Sequence, residues 1–140
     1  MGLTVVRSIA AEREVVWAAL TDVERWPDWS DSMTSVRRPD SGPFQVGSRA
    51  RVKQPKLAAQ VWQVTELTEG SGFTWEARSP GSAVIAGHSL DPGENGTTTL
   101  TLSLEQRGPL GAVLGVVLSG LTRRYVTMEA DGLKRFVEKV

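Results

Sequence analysis

Residues 97–139 read TTTLTLSLEQRGPLGAVLGVVLSGLTRRYVTMEADGLKRFVEK, and the apolar period changes from two to 3.6 part-way along. Leu100, Leu102 and Leu104 alternate with Thr99, Thr101 and Ser103. That predicts a strand over 97–106 with one face on a core and one in water. After Arg107-Gly108-Pro109, the residues Leu114, Leu118, Leu121, Tyr125, Met128, Leu133 and Phe136 fall along one broad stripe. Arg123, Arg124, Lys134, Arg135 and Glu138 lie mostly off it. The pattern predicts one long helix from Leu110 to Lys139, about 45 Å long at 1.5 Å per residue. A helix of that length needs a sheet to lie on.

The chain before it supplies the strands. Asp91-Pro92-Gly93-Glu94-Asn95-Gly96 concentrates turn residues, and Asn-Gly is a strong hairpin signal. The hairpin also explains Asn95-Gly96-Thr97 better than its fit to a glycosylation sequon does. Upstream, strands are predicted over 83–90, 73–78, 60–67, 48–54 and 35–39, with turns at Ser79-Pro80-Gly81, Glu69-Gly70-Ser71-Gly72 and Asp40-Ser41-Gly42-Pro43. Near the start, residues 3–9 are rich in β-branched side chains and predict a strand, and 12–22 predict a helix carrying Val16, Trp17 and Leu20 on one face. Pro27 lacks an N–H and disfavours helical geometry at Trp26, so a separate short helix is expected from Trp26 or Pro27 onward. The fold class is α+β: a curved antiparallel sheet of six to seven strands wrapped around a long C-terminal helix, with two short helices after the first strand.

Bulk composition narrows the function classes. At 140 residues, one domain over 1–140 is expected. With no cysteine, disulfides, thiolate catalysis and cysteine-based zinc sites are excluded, and the composition suits a cytoplasmic protein. Sixteen basic residues balance sixteen acidic ones, which argues against a nucleic-acid partner and against a polybasic membrane surface. The start shows no secretory leader pattern. The longest apolar run, 110–121, has about 12 residues where a bilayer span needs about 20, so no integral membrane association is expected. There is no G-x-S-x-G, H-E-x-x-H, P-loop or dinucleotide fingerprint, and no D-x-D cluster; neither metal nor cofactor is expected.

Several segments, in order, carry a family resemblance. They are 11–20 followed by Trp26-Pro27-Asp28-Trp29; Trp62-Gln63-Val64-Thr65-Glu66-Leu67; Phe73-Thr74-Trp75-Glu76; His88 followed by Leu90, Pro92 and Gly96-Thr97; and Gly108-Pro109-Leu110-Gly111. Over nearly its full length the chain resembles the START-like (SRPBCC) superfamily, the Bet v 1-like helix-grip proteins, and most of all the bacterial polyketide cyclase/dehydrase type. The resemblance implies a cavity between the concave sheet face and the long helix. Its members bind lipids, hormones and polyketides, and a few catalyse cyclisation and dehydration; the fold itself does not choose among these.

With that fold, strand parity and the helix stripe nominate Trp62, Val64, Phe73, Trp75, Ala86, His88, Leu102, Leu118, Leu121 and Tyr125 as ligand-binding residues. One bulge would flip every strand assignment beyond it. His88 is the only histidine and the only side chain whose ordinary titration lies near neutral, so it is either a polar anchor or general acid/base, or a histidine satisfied at a sheet face. Trp62 and Trp75 either line a pocket for a planar apolar ligand or fill the space. Trp17 is expected in the core, and Trp26 and Trp29 are expected to anchor their segment onto the sheet. Gly111, Gly115 and Gly120 early in the last helix suggest close packing or a pliable roof over the cavity, with 125–136 as ordinary packing.

The reading that follows is a carrier of a small lipophilic molecule. The alternatives are a polyketide cyclase/dehydratase with His88 as acid/base and Tyr125 or Arg124 as helpers, and a protein-partner module, which an exposed apolar patch at Trp26 and Trp29 would favour. Oligomeric state is not legible in the sequence; a monomer is the starting expectation.

Overall fold

The computed structural model describes residues 2–111, 113 and 119–139. Seven strands, β1 (Gly2–Ile9), β2 (Ser35–Arg37), β3 (Arg49–Lys53), β4 (Gln60–Thr68), β5 (Gly72–Ser79), β6 (Ser82–Pro92) and β7 (Thr98–Arg107), form one antiparallel sheet in the order β1-β7-β6-β5-β4-β3-β2. Helix α1 (Arg13–Thr21) follows β1, and α2 (Ser119–Glu138) closes the chain. The α+β architecture and the strand series agree with the sequence reading. Of the expected long helix, Pro109–Gly111 and α2 are helical; residues 112 and 114–118, with Leu114 and Leu118, lie outside the described residues.

Three expectations are corrected in extent. The short helix does not begin at Trp26 or Pro27; it is a 3-10 turn over Val23–Asp28 with Pro27 inside it. A turn this short gives up little when proline removes one donor, and the Trp26 carbonyl still accepts from the N–H groups of Trp29 (3.1 Å) and Ser30 (2.9 Å). β2 stops at Arg37 rather than Pro39, and β6 runs on to Pro92 rather than stopping at Leu90.

The helix stripe is also rotated. The buried residues of α2 are Tyr125, Val126, Ala130, Gly132, Leu133 and Val137, whereas Leu121, Met128 and Phe136 are half-buried flanks. The contact line runs through small residues because backbone must approach backbone there. A Cβ on Gly132 would stand 2.1 Å from the Trp29 carbonyl oxygen. Among the early glycines, Gly120 has no described residue within 4 Å of its Cβ position.

Inward side chains align across the sheet in three rows. The pairings run Leu67–Phe73–His88–Leu102–Val5, then Val64–Trp75–Ala86–Leu104–Leu3, then Trp62–Ala77–Val84–Gln106. A bulge between Val64 and Glu66 shifts the inward parity of β4, so that Leu67 joins the first row. The first row lies in the core with Val16, Leu20, Val23 and Trp26 of the α1 and 3-10 segment. The C-terminal part of α2 is pinned to β1. Arg7 Nε is 2.7 Å from Asp131 Oδ1, Lys134 Nζ donates to the Ser8 carbonyl at 2.7 Å, and Glu138 accepts from the Ala10 N–H at 2.8 Å. That N–H bond, together with Lys134, holds the Glu138 carboxyl below its ordinary range.

Candidate functional site

Where α2 leaves the sheet, a cavity of about 200 Å³ remains. Its sheet wall is built from the second and third rows: Trp75, Ala86 and Leu104, then Trp62, Val84 and Gln106. Thr122, Tyr125, Val126 and Glu129 of α2 form the opposite wall. Trp26 and His88 close the buried end, at 1% and 5% exposure. Leu57, Ala58 and Gln60, from the β3–β4 connection and the start of β4, lie at the outer end with Ser79.

Trp62, Trp75, Ala86, His88 and Tyr125 of the nominated residues thus come together around one space. The two strand tryptophans, 5.7 Å apart between ring centroids, line it without filling it. Val64, Phe73 and Leu102 face inward as parity required, but they are buried in the core and are not among the lining residues. Leu121 is half-buried and not part of the lining; Leu118 is outside the described residues. Trp17 and Trp29 are buried, Trp17 with its indole N–H on Glu69 Oε1 at 3.1 Å. Trp26 donates to the Leu20 carbonyl at 3.0 Å and packs against Trp29, Trp75 and His88. With Trp26 and Trp29 both buried, no exposed patch forms from them.

His88 is held from two sides. Its ring stacks on Phe73 with centroids 4.1 Å apart and planes 13° off parallel. Its Nδ1 is 3.2 Å from the Phe73 carbonyl oxygen. A carbonyl can only accept, so Nδ1 carries the hydrogen. Nε2 faces Glu129 Oε1 at 3.6 Å, an ion-pair distance when the imidazole is protonated. Both side chains are nearly buried, at 3% and 12% exposure, and Glu129 Oε1 accepts no hydrogen bond among the described residues. The pair can hold a proton or pass one to a bound molecule.

Glu129 is the ionisable cavity residue that the sequence reading missed. It lies one helical turn after Tyr125, which was nominated, so the i, i+4 spacing would have found it. The two helpers named for the cyclase reading fare differently. The Tyr125 hydroxyl donates to the Pro55 carbonyl, tying α2 to the β3–β4 connection, and Arg124 is exposed. Among the described residues no group of three or more His, Asp or Glu could hold a metal ion, and no helix is long and apolar enough to cross a membrane. The expectation that 125–136 is ordinary packing is corrected, because Tyr125, Val126 and Glu129 face the cavity. The pliable part of the roof was expected in 111–121, most of which lies outside the described residues.

Known proteins with this architecture support the fold assignment. No curated protein matches the sequence. A START superfamily protein from Mycobacterium smegmatis superposes with a TM-score of 0.74 at 18% identity, covering 99% of this chain and 97% of that one. Ara h 8.0201 gives a TM-score of 0.78 at 11% identity over 100% and 99% of the two chains. The protein TTHA0849 from Thermus thermophilus gives 0.80 at 16% identity over 98% and 97%. At these identities the likeness establishes the helix-grip fold. The family model described as polyketide cyclase / dehydrase and lipid transport matches residues 2–138, and the chain belongs to that family.

Proposed function

We propose that this chain binds a small lipophilic molecule in the cavity between the sheet and α2, as a carrier or sequestering protein of the cytoplasm. The observation that carries the reading is a cavity of about 200 Å³ between two buried strand tryptophans and a helix wall of Thr122, Tyr125, Val126 and Glu129. Tight packing is the rule in protein interiors, so a recess of this size, largely apolar with a few polar groups, is the natural place for a small ligand. Its size is below the roughly 300–1,000 Å³ of drug-sized sites, which favours a compact ligand or one that displaces the outer residues. Trp62, Trp75, Ala86, His88 and Tyr125 would contact the ligand, with Trp26, Val126 and Glu129. Titration with fatty acids, flavonoids and polyketide analogues, followed by tryptophan fluorescence, tests this. Saturable quenching by at least one class is expected; none by any class overturns it.

The His88–Glu129 pair favours a second reading, proton transfer to and from a bound polyketide-like substrate. It predicts that His88→Ala abolishes turnover while binding persists. Turnover surviving in that variant sinks it.

A further inference from the structure

The charged chemistry of the cavity is one-sided. Glu129 is the only Asp, Glu, Lys or Arg among the described lining residues. The sequence at 112 and 114–118 (Ala, Leu, Gly, Val, Val, Leu) supplies no ionisable group either. Lys53, beside the outer wall, spends its ammonium on the carbonyls of Gln54 (2.7 Å) and Leu57. Arg123 and Arg124 are exposed.

At the buried end the free capacity is for accepting. Nδ1–H of His88 is committed to the Phe73 carbonyl. Glu129 Oε1 is buried without a donor among the described residues. With one proton between them the pair is neutral; with none it is negative.

Resting on the ligand-binding reading above, we infer that the ligand's buried end carries a hydrogen-bond donor, a hydroxyl or an ammonium, and not a carboxylate. The apolar body lies along Trp62, Trp75, Val84 and Leu104. A donor at Glu129 Oε1 satisfies a buried acceptor that receives no hydrogen bond among the described residues. A ligand carboxylate would lose its water, meet no lysine or arginine among the described lining residues and face the Glu129 carboxyl, which selects against it.

The test uses the whole protein near neutral pH, titrated calorimetrically with 1-octanol, octylamine and octanoate. Octanol or octylamine binds at least about tenfold tighter than octanoate. Methyl octyl ether, which keeps the chain and loses the donor, binds at least about fivefold more weakly than octanol. Glu129→Gln narrows the gap between octanol and octanoate, chiefly by improving octanoate. Octanoate equal to octanol, or ether equal to octanol, in the wild-type protein overturns the donor preference and leaves the ligand-binding reading standing. No saturable binding by any of these probes overturns the donor preference; the ligand-binding reading falls only if the flavonoid and polyketide titrations above also show none. The wild-type comparisons decide the matter even if the variant does not fold.

Discussion

Glu129 Oε1 stands 3.6 Å from His88 Nε2, a contact made across the cavity's buried end by a strand and a helix 41 residues apart in the chain. Burial makes the two side chains interdependent. Removing one leaves the other desolvated and unmatched, whereas removing both leaves neither stranded. Glu129→Leu and His88→Leu are each expected to destabilise by about 2–4 kcal/mol. The double variant should cost less than their sum by about 1–3 kcal/mol. Urea unfolding of the four proteins measures this; strict additivity would show the contact to be incidental.

Gly132 and Gly120 form a matched pair on one helix. A methyl group at 132 meets the Trp29 carbonyl oxygen at 2.1 Å, a backbone atom that cannot step aside. Gly132→Ala should therefore cost about 1–3 kcal/mol or more through overpacking. Gly120→Ala meets no described residue within 4 Å and should stabilise by up to about 1 kcal/mol from helix propensity. Thermal melts of both variants check the opposite signs.

Tyr125 closes the outer part of the site through its hydroxyl on the Pro55 carbonyl. Tyr125→Phe keeps the ring on the cavity wall and removes only that tie. A loss of about 0.5–1.5 kcal/mol is expected, with faster amide exchange at Gln54, Lys56, Leu57 and Ala58. Unchanged exchange there would mean the connection is held by other contacts.

Glu138 sets part of the acid limb of stability. Its carboxyl is held below the ordinary 4.5, first by the Ala10 N–H and then by Lys134. A lowered folded value means the unfolded chain takes up the proton first as pH falls. The contribution is fully present above about 4.5 and is lost as pH drops through the lowered value. Glu138→Gln should flatten the stability–pH profile in that acid window and leave its shape above it unchanged. A profile parallel to wild type throughout would refute the assignment.

Much of the fold was legible because local periodicity and turn chemistry agree along most of the chain. Leu100, Leu102 and Leu104 marked β7, the glycine and proline clusters separated the strands, and the change of period announced the last helix. Parity also placed every nominated strand residue on the inner face, bulge notwithstanding. The short 3-10 turn was misplaced because Pro27 reads as a helix start, while Val23, Arg25 and Trp26 had already begun the turn.

The site was legible only in part, and the division has a physical origin. A strand's alternation tells which side chains face inward, since that depends on the strand alone. Which inward row is packed and which is left open depends on where α1, the 3-10 turn and α2 come to rest. Phe73 and Trp75 share one face of β5, yet Phe73 is a core residue stacked on His88 and Trp75 lines the cavity. Likewise the helix stripe was weighted toward large residues, while the real contact line follows Val126, Ala130 and Gly132, where the backbone of α2 can come closest. The sequence by itself determined the elements, their order and their apolar faces, because those follow from short-range sterics and burial. Only the tertiary structure decided that Glu129 meets His88 and that a space remains beside them, because both depend on distances between elements remote in the chain.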